Sequence, residues 1–336
     1  TPEKASGIGR MVRATFKGTG TRKIALIAHM DTVYPEGMGA KQPFRIDGNK
    51  AYGLGIADDK QGVAVILHTV AMLQALGERG YGTLTVFING DEEISSPASR
   101  KPFAQLGKDH DAVMSFEGSR IDSDKVALAT SGIALAALTV KGKASHAGSA
   151  PERGVNSLYE LSHQLLQLRD LSAPDRGLKV NWTVSKSGVV RNMIPPQAQA
   201  WADIRLLKVS DLAAVESRMQ ERIRNKLLPE SVVEVKVENR RPPLEATAAS
   251  RTLAEHARGI YKEIGRELVV DPEPEGGGTD AAFAALETKS PVIERFGLQG
   301  FGAHSNDAEY VLVDSVRPRL YLATRMVMDI AAGKGS

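Results

Sequence analysis

The chain contains no cysteine, which excludes both disulfides and thiolate metal ligands. Its absence fits an oxidising compartment, periplasmic or secreted, slightly better than the cytoplasm. No apolar run reaches the roughly eighteen residues of a membrane-spanning helix. An excess of one charge is also missing: 43 Lys and Arg face 40 Asp and Glu, a net +3. Neither nucleic acid nor a membrane surface is therefore implied as a partner. The sequence shows no internal repeat and no low-complexity tract. What remains is an ordinary globular composition, 42% hydrophobic and 25% charged, with room for two domains in 336 residues.

The first 117 residues alternate strand and helix. Strands are expected at 23–29, 83–89 and 112–116, with helices at 62–76 and near 98–106. The 62–76 run is apolar nearly all round, which implies burial between layers. This rhythm predicts an α/β domain with a mainly parallel sheet. The texture changes near 130, where VALATSGIALAALTVKGK reads as a long bent strand pair with a turn or bulge at Gly132. A helix at 155–168, two strands flanking Asn192–Pro196, a helix at 210–227 capped by Ser210 and the alternating SVVEVKVEN follow. That order, β-α-β-β-α-β, is a ferredoxin-like α+β unit. Residues 131–242 are therefore expected to form a domain inserted into a larger one made of 1–130 and 243–336.

Three strand exits carry acids or imidazoles: His29 and Asp31, Glu92 and Glu93, and Glu117. Ligands in open α/β sheets bind at the carboxyl ends of strands, so these residues should converge on one cleft. Asp58 in a Gly-rich turn and His304 on a Gly-rich loop complete a set suited to a pair of zinc ions. Carboxylates gathered without a cation would repel one another. A metal-assisted hydrolase is the leading reading. Each motif also has a plain reading. Asp31 and Asp58 could be caps, Asp91-Glu92-Glu93 a solvated charge run, His146 an ordinary loop histidine and Gly276-Gly277-Gly278 a linker.

Together the motifs are more specific. AHMDTVY, GIADDKQG, the DEE triplet, SFE, KGKASHAG, RNMIP, GGGTDAA and GFGAHSNDAEY occur in an order that resembles the di-zinc exopeptidases. That family includes glucarpidase, aminoacylase, succinyl-diaminopimelate desuccinylase and carnosinase, and the glucarpidase (glutamate carboxypeptidase) branch looks closest. The resemblance runs essentially from end to end. It implies a di-zinc exopeptidase domain carrying an inserted dimerisation and lid domain. It also implies two Zn²⁺ per chain: one on His29, Asp58 and Glu117, the other on Asp58, Glu93 and His304, with Asp58 bridging through a cis Asp58–Asp59 bond. Glu92 would be the general base and Asp31 the orienter of His29. His146 and Asn192 would reach the partner subunit's site in a homodimer. Arg241, with the backbone of Gly277, Gly278 and Thr279, would hold the substrate's terminal carboxylate.

The substrate class implied is an N-acyl amino acid, a folate or a peptide, with a C-terminal amino acid, glutamate first, as the leaving group. An aminoacylase or dipeptidase would use the same site. A non-catalytic amino-acid or peptide binder of the same fold would be expected to lack a ligand or the base. Two departures stand out. The family begins with a further helix–strand segment, and this sequence starts after it, which would leave one face of the larger domain uncovered. Ala127 also stands where glucarpidase has a hydroxyl side chain near the substrate pocket.

Overall fold

Side chains along Lys23–His29 are buried at every position after Lys23, and those along Thr83–Asn89 at every position after Thr83. Such continuous apolar runs suit strands covered on both faces. In the computed structural model, which describes residues 8–274, 276–305 and 308–335, they form the centre of a five-stranded sheet. The spatial order is Val12–Lys17, Thr83–Asn89, Lys23–His29, Ala112–Ser115, Val292–Ile293. The edge strand Val12–Lys17 is antiparallel and the other pairings are parallel. Alternation splits the side chains between two cores. Ile24, Leu26, Leu84 and Val86 pack with Val65, Ile66 and Leu73 of the helix Gln61–Ala75 and with Leu322 and Met326 of Val316–Ala331. Ala25, Ile27, Phe87 and Val113 pack with Phe103 and Leu106 of Arg100–Asp109. Each buried Leu, Ile or Phe contributes about 1.5–3 kcal/mol.

Contacts divide the chain into two compact units. The larger contains the described residues up to Thr130, from Leu244 to Pro274 and from Thr279 onward. The second is Ser131–Pro243 together with Gly276–Gly278. It runs Gly132–Lys141, Ser157–Leu168, Lys179–Ser187, Gln197–Leu206, Val209–Arg222, Val232–Arg241 as strand, helix, strand, strand, helix, strand. Its all-antiparallel sheet places the first and third of those strands at the centre. Small and branched residues of the sheet, Ala134, Ala136, Ala200 and Ile204, leave room for Leu161 and Leu168 of one helix and Val215 and Met219 of the other.

Several elements differ from expectation. VALATSGIALAALTVKGK is no strand pair: Lys125–Ala127 pairs in parallel with Val269–Asp271, and Gly132–Lys141 lies in the other unit's sheet. Gly132 sits where an added Cβ would come 2.7 Å from Pro243, a close approach of chain to chain. Ser210 is not a cap, because the helix begins at Val209 after Lys208 and ends at Arg222. The Gln61–Ala75 helix is buried on one face only, with Leu67 56% exposed.

Candidate metal centre

Parallel register brings the strand exits side by side. His29 lies opposite Asn89, and Ile27 opposite Ser115, so the chain beyond each strand emerges at one edge. Two triads of donor atoms form there: His29, Asp59 and Glu117, and Asp58, Glu93 and His304. Asp58 spans both, with Oδ1 2.9 Å from His29 Nε2 and Oδ2 3.2 Å from His304 Nε2. Glu117 Oε1 is 3.4 Å from His29 Nε2, and Glu93 Oε2 is 3.1 Å from His304 Nε2. The Asp58–Asp59 peptide bond is cis.

Asp59 stands in the first triad where the resemblance implies Asp58. Its oxygens are already engaged: Oδ2 accepts from the His29 backbone N–H at 3.3 Å and Oδ1 from the Gln61 side-chain amide at 2.7 Å. Asp58 offers the closer approach to His29, and no side chain caps the Gln61–Ala75 helix among the described residues. Asp31 lies behind His29. Its backbone oxygen is 3.1 Å from Nδ1 and its Oδ1 3.4 Å away, while Oδ2 accepts the Glu93 backbone N–H at 2.9 Å. That arrangement holds the ring with Nε2 facing the other acids.

The DEE triplet divides by environment. Asp91 is fully buried and accepts from Ala98 N–H, Ser99 N–H and the Ser99 hydroxyl, so it folds the loop that follows. Glu92 and Glu93 lie in the turn Glu92–Ile94, with Glu92 only 7% exposed. Burial and the neighbouring Asp58 carboxylate push Glu93 up to about 7. Burial and the Glu117 charge also raise Asp59. Burial alone would lower His29, but Glu117, Asp31 and Asp58 outweigh it and raise the imidazole. Glu93 Oε1 is buried and has no hydrogen-bond partner among the described residues. These observations fit a cation-binding site. The donors are imidazole and carboxylate, which suit zinc, and positive charge would relieve the crowding that raises Glu93.

In the second unit, Ala147 N–H donates to Asn192 C=O at 2.9 Å, and His146 bridges to Met193. The two loops named from the sequence are thus adjacent. His146 and Asn192 are both exposed. Arg241 is 4% exposed, and Gly278 packs so closely that an added Cβ would lie 2.4 Å from the Arg241 Cδ. Thr279 is buried in the larger unit, where its hydroxyl donates to Glu294 at 2.7 Å. Ala127 is fully buried. Residues that sequence reasoning passed over are Tyr34 and Glu309, which hydrogen-bond each other beside the ligands. Glu309 lies five positions after His304 in the GFGAHSNDAEY motif; nothing periodic marks it.

A family model for peptidase family M20/M25/M40 matches residues 25–329. The chain is 46% identical to carboxypeptidase G2 of Pseudomonas sp. (strain RS-16) over 336 residues, covering 99% of this chain and 80% of that one. It is 27% identical to a succinyl-diaminopimelate desuccinylase of Gluconobacter oxydans, covering 91% and 81%. Among solved structures, the aminopeptidase PepT of Bacillus cereus superposes with a TM-score of 0.75 at 21% identity, covering 96% of this chain and 84% of that one. The M20 family metallo-carboxypeptidase of Sulfolobus solfataricus gives 0.69 at 14% identity, covering 95% and 87%. These two structural likenesses speak to the fold alone.

Proposed function

The chain belongs to peptidase family M20/M25/M40 and is a zinc-dependent exopeptidase-type hydrolase with two metal sites, and from that premise we propose that it releases a C-terminal amino acid, glutamate first, from N-acyl or folate-type substrates. The observation that carries the chemistry is Asp58 placed between His29 and His304, with Glu117 and Glu93 flanking. The substrate class draws support from the 46% identity to carboxypeptidase G2.

In this reading His29, Asp58 and Glu117 hold one zinc and Asp58, Glu93 and His304 the other. Bound zinc supplies a lowered water pKa and a polarised scissile carbonyl. Glu92, buried next to Glu93, takes the proton from the attacking water and delivers it to the leaving amine. Asp31 keeps His29 in the ligating tautomer. His146 Nδ1 accepts the backbone N–H groups of Gly148 and Ser149, both at 3.1 Å. Its neutral ring therefore carries the proton on Nε2 and presents a donor to developing negative charge. Arg241 holds the terminal carboxylate, a planar fork meeting a planar anion, with backbone N–H groups of Gly277, Gly278 and Thr279. The enzyme acts as a homodimer in which His146 and Asn192 serve the partner's centre.

Metal analysis followed by hydrolysis of a panel of N-acyl amino acids, dipeptides and folates tests this. Two zinc ions per chain and preferential release of glutamate are expected. Turnover confined to other residues would reassign the chain as an aminoacylase or dipeptidase. Two metals without any turnover would make it a binding protein.

A further inference from the structure

Glu309 is 4% exposed, and a carboxylate so buried must be compensated or it destabilises the fold. Among the described residues, one hydroxyl and three backbone N–H groups compensate it. Oε2 accepts the Gly55 backbone N–H at 2.7 Å and the Tyr34 hydroxyl at 2.5 Å. Oε1 accepts the backbone N–H groups of Ala57 at 2.8 Å and Asp58 at 3.1 Å. Three of the four donors belong to the turn that delivers Asp58. That turn bends through Gly55 at φ 67°, where an added Cβ would lie 2.4 Å from Thr32. The single Tyr34 hydroxyl proton is shared between Glu309 and Ser305 C=O, which lies 3.0 Å away, next to His304. One carboxylate and one phenol thus tie together the segment after His29 and Asp31, the Asp58 turn and the His304 loop.

We infer that Glu309 and Tyr34 are positioning residues that clamp three ligand-bearing loops and set the distance between Asp58 and His304. The inference rests on the reading of the site as a two-metal centre. Glu309 belongs to neither triad of candidate donor atoms. It acts through the Asp58 backbone, whose N–H it fixes, and through Tyr34, which fixes the carbonyl beside His304. The Asp58–Glu93–His304 site should depend on the clamp most, because two of its ligands lie on clamped segments remote in sequence. Removing groups that orient metal ligands typically costs about 10–100-fold in metal affinity.

The test is a competitive titration of chelator-stripped protein with Zn²⁺ against a zinc indicator, for wild type, Glu309→Gln and Tyr34→Phe. Glutamine keeps the shape of Glu309 but turns an NH₂ group toward two of the four donors. Wild type should take two ions per chain. Glu309→Gln should take the first normally and bind the second about tenfold or more weakly. Tyr34→Phe should weaken the second step several-fold. Thermal unfolding of the metal-free proteins separates a merely structural role, which would lower Tm and leave both affinities alone. Unchanged affinities in Glu309→Gln overturn the inference. If that variant does not fold, an unchanged second affinity in Tyr34→Phe overturns it instead. A wild type that binds fewer than two ions overturns the two-metal reading, a distinguishable result.

Discussion

Three consecutive acids illustrate how far one residue type can diverge. Asp91 is fully buried and hydrogen-bonded to Ser99, Glu92 is buried in the following turn, and Glu93 faces His304 and is raised to about 7. We expect Glu92→Gln to retain both metals while losing about 10²–10⁴-fold in turnover, the usual contribution of a general base. Glu93→Ala should lose one ion. Metal content and single-turnover rates on the same samples check both, and near wild-type turnover in Glu92→Gln with metal intact would remove it from the mechanism. Asp58→Ala should weaken both sites, whereas Asp59→Asn should leave the stoichiometry at two. The proposed ligands could be read from the sequence because His29, Glu93 and Glu117 follow strand exits and Asp58 and His304 lie in Gly-rich turns within quotable motifs. Asp59 and Glu309 were not, because their roles depend on backbone N–H groups that come near only after folding.

Among the elements, the helix Arg100–Asp109 is pinned to the sheet by His110 at its end. The ring meets Leu106 C=O at 2.9 Å through Nδ1 and the Thr85 hydroxyl at 2.8 Å through Nε2. The carbonyl can only accept, so Nδ1 donates, and in the neutral ring Nε2 accepts from the Thr85 hydroxyl. Burial pushes its pKa below 6.5. A depressed histidine contributes stability that is present above the unfolded value of about 6.5 and is lost as pH falls through the folded one. His110→Asn should therefore flatten the acid-side fall in Tm relative to wild type. Parallel melting curves of metal-free protein would show it, and equal slopes would refute it. Strands with unbroken apolar runs announced themselves. Val12–Lys17 did not, since it is an edge strand whose burial alternates only partly. The apolar outer face of Gln61–Ala75 misled for a related reason: composition reports hydrophobicity, not what covers it.

For the whole molecule, the proposed dimer makes each centre a joint product of two chains. Mixing a His146→Ala subunit with a Glu92→Gln subunit, each inactive alone, should restore part of the activity once subunits exchange. Exchange confirmed by mass without recovered turnover would leave His146 no role in the partner's site. The βαββαβ order of the second unit was legible from periodicity. The grouping of Gly276–Gly278 with it was not, because three glycines carry no pattern. At the seam, Thr130 N–H donates to Leu244 C=O at 3.1 Å, so the chain leaves the larger unit and returns to it through a bonded pair. Gly132 and Pro243 pack closely within the second unit, where an added Cβ on Gly132 would lie 2.7 Å from Pro243. Residues 131–243 are therefore a cassette bounded by one bonded pair, although Gly276–Gly278 also groups with the second unit. Splicing the cassette out and joining the bonded pair with a short Gly–Ser bridge adds little closure entropy, since that cost grows only as about (3/2)RT ln n. The spliced protein should fold and take up zinc without hydrolysing substrate; failure to bind zinc would show that the bonded pair is not sufficient. If it succeeds, second units can be exchanged between relatives, and selectivity redesigned, on an unchanged larger unit.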